Sequence, residues 1–160
     1  MFVKICGFTD PTNLCRVCDA QTRPDAVGLN RWAGSKRFVS DVDAAGLATL
    51  PGRAGMETWG VFVNPSQTLL KQTSSLRLDG VQLHGDEPPD AFFPVLRLRP
   101  AVRFVRAWRV RKSLGPLCDH VASASRGLQP HRVLLDAAMP GTFGGTGQKL
   151  DWHALREELD

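Results

Sequence analysis

Short apolar runs alternate with amphipathic stretches along this chain, and the alternation constrains the fold more than any other feature of the sequence. The apolar runs are rich in Val, Ile and Leu and are bounded by Gly, Pro, Asn and Asp, as strands are. We predict strands over residues 2–6, 25–30, 59–63, 80–83, 102–110 and 133–136. We predict helices over residues 12–21, from 40 onward, and over 66–75, 88–96, 113–124 and 151–160. Strands that alternate with helices pair in parallel, so the pattern predicts an α/β protein of about six βα units.

The regular spacing of these units favours a (β/α)8 barrel over an open dinucleotide-binding sheet. No G-x-G-x-x-G run follows an early strand, as it would in a dinucleotide-binding sheet. A complete barrel has eight βα units and typically about 250 residues, or about 200 at the short end. This chain has 160 residues. We therefore expect residues 1–160 to form a single TIM-barrel domain that is incomplete.

An incomplete barrel has consequences for stability and assembly. Its first and sixth strands would become open edges beside an uncovered interior, and such edges associate or aggregate. We therefore expect the isolated chain to fold poorly, to be nearly inactive, and to self-associate through these edges.

Composition narrows the functional class further. The hydrophobic content is 42%, the charged content is 22% and the formal net charge is only +4. No basic block is interleaved with aromatic residues, which disfavours nucleic-acid binding. No stretch is long enough to cross a bilayer, so we expect no membrane association. Four cysteines without a secretory leader predict reduced thiols and a cytoplasmic location.

Two of the predicted strands end in a chemically reactive side chain. Cys6 ends the first strand just before Gly7, and Asp136 ends the sixth strand. Parallel α/β proteins keep their chemistry at the carboxyl ends of the strands. A cysteine in a strand is often only a small buried hydrophobe, but at a strand end nearby cations and helix N-termini can activate it. A desolvated carboxyl group favours its protonated form and suits general-acid catalysis, so the pair predicts an enzyme that moves protons.

Three further features are candidates for substrate binding. Arg37 lies in a polar loop, where it is either a solvated side chain or a guanidinium fork for a carboxylate. His84 follows the fourth strand and is either a loop histidine or a polar contact to a ligand. A glycine-rich loop over residues 144–147 follows the sixth strand. It predicts that the backbone at Gly144, Gly145 and Gly147 approaches a ligand closely.

The pair Cys15 and Cys18 forms a C-x-x-C motif, which raises the alternative of a zinc or thiol-redox protein. No second cysteine pair matches it, and it lies within a predicted amphipathic helix. Packing within that helix is the better account, and we predict no metal site.

Several of these segments together resemble one enzyme family. The segments occur at residues 3–9, 25–29, 35–38, 60–64, 81–87, 134–137, 144–147 and 151–152. In this order they are similar to the phosphoribosylanthranilate isomerases, which are (β/α)8-barrel enzymes of tryptophan biosynthesis.

The resemblance implies an Amadori rearrangement of a small phosphosugar, N-(5-phosphoribosyl)anthranilate, without a cofactor or a metal. It implies that Asp136 is the general acid that protonates the ribose ring oxygen. It also implies that Cys6 is the general base at the adjacent carbon and that Arg37 holds the anthranilate carboxylate. In this family the loops after strands seven and eight hold the phosphate, so we assign no residue of this chain to that group.

Other functions stay open at this point. A truncated barrel could act only as an interaction module that pairs its open edges with a partner, or it could be a non-functional fragment. Another phosphosugar enzyme on the same fold is disfavoured because the first strand ends in Cys6 and not in an acid or a lysine.

Overall fold

Six parallel strands form one sheet in the computed structural model, which describes residues 1–139, 143 and 148–158. The strand order in the sheet follows the chain, and each strand pairs in parallel with the next. This is the topology of successive βα units, and it confirms the predicted incomplete (β/α) barrel. The strands are β1 Lys4–Cys6, β2 Ala26–Asn30, β3 Glu57–Phe62, β4 Gly80–Leu83, β5 Arg103–Val110 and β6 Arg132–Ala137.

Helices occupy the connections between the strands. Polar caps set their starts: the Asp10 carboxylate accepts hydrogen bonds from the backbone N–H groups of Thr12 and Asn13, at 3.0 and 3.1 Å. Ser40 caps the second helix in the same way through the N–H of Asp43. The helices are α1 Pro11–Asp19, α2 Asp41–Leu47, α3 Leu50–Arg53, α4 Gln67–Gln72, α5 Phe93–Leu98, α6 Gly115–Ser123 and α7 Trp152–Arg156, with a 3-10 turn at Thr73–Leu76.

The predicted boundaries differ from the structure mainly after β4. The sequence places a helix over residues 88–96, but α5 begins only at Phe93, with Pro94 in its first turn. Consecutive turns occupy the preceding residues, because the N–H of Ala91 bonds the carbonyl of Pro88 and the N–H of Phe93 bonds that of Asp90. The short helix α3 was not predicted, since four residues are too few to show a helical period.

The main core lies between the sheet and the helices. Alternate residues of the strands point toward the helices, among them Leu29 of β2, Phe62 of β3 and Phe104 of β5, and all are buried. Phe104 stacks on Phe92 with the ring centroids 4.4 Å apart. The residues between them on each strand point to the opposite face, where the cavity described below is located.

The two outer strands are less well covered than the inner ones. Ile5 of β1 is 45% exposed, and Val133 and Leu134 of β6 are 38% and 39% exposed. Among the described residues, β1 pairs only with β2 and β6 only with β5. The expected open edges are therefore present at the two ends of the sheet.

A buried ion pair supports the loop that follows β4. Glu87 and Arg106 are 5% and 3% exposed, and their side chains form an ion pair. The Glu87 carboxylate also accepts the backbone N–H groups of Gly85 and Asn64, while Arg106 donates to the carbonyl of Gly85 at 2.9 Å. The pair therefore joins the loops after β3 and β4 to strand β5.

We expect Glu87→Ala to lower the free energy of unfolding by about 3–5 kcal/mol, because it leaves the Arg106 charge buried without its partner. Asp86 offers a matched control in the same loop, since its ion pair with Arg109 leaves Asp86 71% exposed. We expect Asp86→Ala to cost only about 0–1 kcal/mol. Equilibrium unfolding in urea measures both changes, and equal losses would contradict the role given to the buried pair.

Candidate active site

A cavity of about 600 Å³ lies on the face of the sheet that points away from the helices. Four of the predicted site residues line it together: Cys6, Arg37, His84 and Asp136. Cys6 belongs to β1, Arg37 to the loop after β2, His84 directly follows β4, and Asp136 belongs to β6. Cys6 and Asp136, which are 130 positions apart in sequence, therefore line the same cavity. The predicted binding residues Gly144, Gly145 and Gly147 lie outside the described residues.

The cavity wall follows from the two-residue period of the strands. Lys4 and Cys6 share one face of β1, Leu134 and Asp136 share one face of β6, and all four line the cavity. Gly28 of β2 leaves room for the thiol, because a Cβ atom there would lie 2.4 Å from the Cys6 sulfur. A side chain at position 28 would therefore displace the Cys6 thiol from its present position.

Cys6 presents an exposed thiol to the cavity at the carboxyl end of β1. The Lys4 ammonium interacts electrostatically with the Cys6 side chain. Burial lowers the pKa of Lys4, and the interaction with Cys6 opposes that change. Lys4 is therefore a close neighbour of the candidate base.

Arg37 lies over the backbone at the end of β1. Its Nη1 is 3.5 Å from the carbonyl oxygen of Cys6, and its Cδ would lie 2.6 Å from a Cβ atom at Gly7. Gly7 has φ +100°, in the region that favours glycine. The guanidinium therefore lies at the cavity beside the end of β1, and a hydrogen bond from the Arg37 N–H to Ser35 Oγ holds its loop.

Asp136 and His84 are in direct contact across the cavity. His84 Nε2 lies 3.0 Å from Asp136 Oδ2, and the two side chains are 11% and 22% exposed. Burial lowers the pKa of His84, and the hydrogen bond and charge of Asp136 oppose that change. His84, predicted as a contact to a ligand, thus lies against the candidate acid.

The sequence interpretation missed most of the other cavity residues, among them Lys4, Trp59 and Gln82. Lys4 donates a hydrogen bond to Gln82 Oε1, and its Nζ lies 5.1 Å from the centre of the Trp59 ring. Lys4 and Gln82 each stand two positions before a candidate residue that was recognised. The strand period could have identified them, because residues two apart share a face.

Phe143 contributes an aromatic ring to the wall of the same cavity. Its ring centroid is 5.3 Å from that of Trp32, and the guanidinium carbon of Arg109 lies 4.3 Å from the Phe143 centroid. A flat apolar surface of this kind suits an aromatic ring of a ligand.

Other classes of site receive little support from the described part of the chain. Within it, no group of three or more His, Cys, Asp or Glu side chains could hold a metal ion. Cys15 and Cys18 are free thiols of α1, and Cys18 packs against the main core, where burial raises its pKa. No described helix has the length and apolar character needed to cross a membrane.

The lowered pKa of His84 predicts a pH dependence of stability. The unfolded chain binds a proton at His84 near the ordinary value of 6.5, whereas the folded chain binds it only at lower pH. The contribution of His84 to stability is therefore fully present above the pKa of His84 in the unfolded chain. It is lost as the pH falls toward the lower pKa of His84 in the folded chain. We expect the free energy of unfolding to fall less between about pH 7 and pH 5 in His84→Gln than in the unsubstituted chain.

Urea unfolding at several pH values measures these slopes. Burial also lowers the pKa of His120, so some slope remains in the variant. An identical slope in both proteins would contradict the assignment to His84.

Comparison with known proteins agrees with this geometry. A family model described as N-(5'-phosphoribosyl)anthranilate (PRA) isomerase matches residues 3–160. The N-(5'-phosphoribosyl)anthranilate isomerase of Nostoc punctiforme is 37% identical over 162 residues, which cover 98% of this chain and 72% of that protein. The protein of the same name from Trichormus variabilis is 38% identical over 160 residues, with the same shares of 98% and 72%. The crystal structure of phosphoribosyl anthranilate isomerase from Thermotoga maritima superposes with a TM-score of 0.71 and 29% identity, over 95% of this chain and 68% of that one. This chain therefore belongs to the N-(5'-phosphoribosyl)anthranilate isomerase family.

Proposed function

We propose that this chain catalyses the Amadori rearrangement of N-(5-phosphoribosyl)anthranilate to 1-(2-carboxyphenylamino)-1-deoxyribulose 5-phosphate, a step of tryptophan biosynthesis. The observation that carries the proposal is that Cys6 and Asp136 face one cavity of about 600 Å³ from the two outer strands. Cavities of about 300–1,000 Å³ suit small-molecule ligands. Membership of the isomerase family supports the choice of substrate.

Asp136 acts first, as the general acid. Its protonated carboxyl group gives a proton to the ribose ring oxygen while the bond between that oxygen and C1 breaks. The nitrogen lone pair forms the C=N bond of a Schiff base, so the ring opens and Asp136 is left as a carboxylate. A positioned proton donor of this kind contributes about 10²–10⁴ in rate.

Cys6 acts second, as the general base. Its thiolate removes the proton from C2, and the electrons of that bond move toward the nitrogen to give an enolamine. The enolamine then tautomerises to the ketone. The steps move protons and electron pairs within one substrate, so the reaction as written requires no redox cofactor and no metal.

Arg37 holds the carboxylate of the anthranilate group. Its guanidinium can form two parallel hydrogen bonds with a carboxylate. Among the described residues, no carboxylate forms an ion pair with Arg37. Phe143 lies in the same cavity and provides a surface for the attached aromatic ring.

His84 and the glycines complete the proposed binding site. His84 lines the cavity beside Asp136, within reach of a sugar that receives the acid's proton. Gly144, Gly145 and Gly147 stay proposed as backbone contacts to the substrate.

We expect Cys6→Ala and Asp136→Asn each to lower kcat by about 10²–10⁴ with little change in KM, because each removes a proton-transfer group. Loss of the aminoaldose, followed by its anthranilate absorbance, measures the rate. Cys118→Ala is the matched control, since Cys118 is an exposed free thiol that does not line the cavity. A Cys6→Ala rate equal to that of Cys118→Ala would exclude Cys6 as the base.

The alternative function is that of an impaired barrel that serves only as an interaction module or has no function. The exposed apolar side chains of the outer strands favour this possibility. Turnover of the aminoaldose by the unsubstituted chain decides between the two functions. A folded chain without measurable turnover supports the alternative.

We also propose that the chain self-associates through its outer strands and that it is cytoplasmic, as its reduced cysteines indicate. Light scattering during gel filtration should show dimers or larger species that dissociate on dilution. We expect Val133→Lys to reduce this association, because charge on an edge strand opposes pairing with another edge. Val42→Lys on α2 is the control, since Val42 is exposed but far from either edge strand in the chain. A monomer at all concentrations would contradict this part of the proposal.

A further inference from the structure

A row of hydrogen-bonded side chains crosses the cavity face of the sheet from β1 to β6. Lys4 Nζ bonds Gln82 Oε1, and Gln82 Nε2 lies 3.3 Å from His84 Nδ1. His84 Nε2 in turn lies 3.0 Å from Asp136 Oδ2. The row therefore ends on the carboxyl group that acts as the acid in the proposed reaction.

The lysine determines the direction of every bond in this row. An ammonium group has only donors, so the side-chain oxygen of Gln82 must face Lys4. The NH2 group of the same amide must then face His84. Two nitrogens 3.3 Å apart form a hydrogen bond only if one of them accepts, so His84 Nδ1 carries the lone pair.

Two contacts favour the charged form of Lys4. Its Nζ lies 5.1 Å from the centre of the Trp59 ring, whose face attracts cations. Burial lowers the pKa of Lys4, and the side chain of Cys6 opposes that change.

We propose that Lys4 and Gln82 are positioning residues that hold His84 as the Nε2–H tautomer, so that His84 donates its proton-bearing nitrogen to Asp136. This inference rests on the proposed role of Asp136 as the general acid. Lys4 and Gln82 act through His84 and not on the substrate.

The tautomer decides where the proton of Asp136 goes. An Nε2–H group stabilises the carboxylate that remains after the proton has moved to the ring oxygen. In the opposite tautomer Nε2 would carry a lone pair. It would accept the proton of the acid in a hydrogen bond and hold it away from the sugar. Because the direction of the hydrogen bonds in the row is fixed, the ring oxygen of the substrate is left as the acceptor of the Asp136 proton.

The same row disfavours the imidazolium form of His84. A protonated Nδ1 would point its N–H at the NH2 group of Gln82, which is also a donor. Burial lowers the pKa of His84 as well, which agrees with a neutral ring.

Nitrogen-15 NMR of the 160-residue chain at about pH 7.5 tests the proposal, because the two ring nitrogens of a neutral histidine differ in shift according to which carries hydrogen. His84→Gln identifies the resonances of His84 by their loss. We expect the Nε2–H pattern in the unsubstituted chain. The Nδ1–H pattern would overturn the proposal.

Gln82→Glu is the decisive variant. Its carboxylate can accept from Lys4 but has no N–H for His84, so His84 Nδ1 must become the donor. We expect His84 to change to the Nδ1–H tautomer or to the imidazolium. An unchanged Nε2–H pattern in Gln82→Glu would show that Gln82 does not set the tautomer.

Substitutions at the other end of the row give a matched pair. Lys4→Arg keeps N–H donors beside the Gln82 oxygen, and we expect it to keep the Nε2–H pattern. Lys4→Met removes the donors and lets the amide rotate, so we expect a mixture of the two tautomers. An identical pattern in both variants would exclude Lys4 as the group that sets the direction.

His131 provides an internal control for folding. Its Nδ1 accepts the backbone N–H of Phe104 at 3.0 Å, so its own Nε2–H pattern reports the fold independently of the row. A change at His84 supports the proposal where the His131 pattern is retained. The measurement needs no substrate, so its failure is distinguishable from loss of turnover in Asp136→Asn, which tests the reaction itself.

Discussion

The parallel register of the six strands places the reactive groups that the strands contribute to the candidate site. Cys6 pairs with Gly28, and Asp136 pairs with Arg109. A shift of one residue in either strand would turn its reactive side chain toward the helices and bring an apolar neighbour into the cavity. The glycine at position 28 is part of this constraint, because any larger residue would occupy the space of the Cys6 sulfur.

Two sets of charged side chains serve different purposes on the two faces of the sheet. Glu87 and Arg106 lie buried on the helix side, where they hold the loops after β3 and β4. Lys4 lies on the cavity side, where it contacts both Cys6 and Gln82. The first set stabilises the frame that carries His84, and the second determines the hydrogen bonding of the reactive groups. Both sets are desolvated, so removing one member leaves an unsatisfied group.

The proposed acid and base have different surroundings in keeping with their tasks. The thiol of Cys6 is exposed to the cavity, which suits a base that must reach a carbon-bound proton. The carboxyl group of Asp136 is more enclosed and contacts a neutral histidine. Environment thus separates the two roles, as it does in other enzymes that use paired acid and base groups. Arg37 lies at the end of β1, with its Nη1 near the Cys6 carbonyl oxygen, where we propose that it holds the carboxylate of the substrate.

The sequence alone determined the class of fold, the six strands, most of the helices and the two reactive strand ends, because these depend on local periodicity and on turn residues. It missed the late start of α5, where consecutive turns replace the first helical turn. It also missed Lys4 and Gln82, whose side chains meet across 78 positions of sequence, and it gave His84 no partner, although Asp136 lies 52 positions further on. Only the tertiary structure decided these contacts. A hydrogen bond between strands that are distant in sequence depends on sheet curvature and register, which no local pattern encodes.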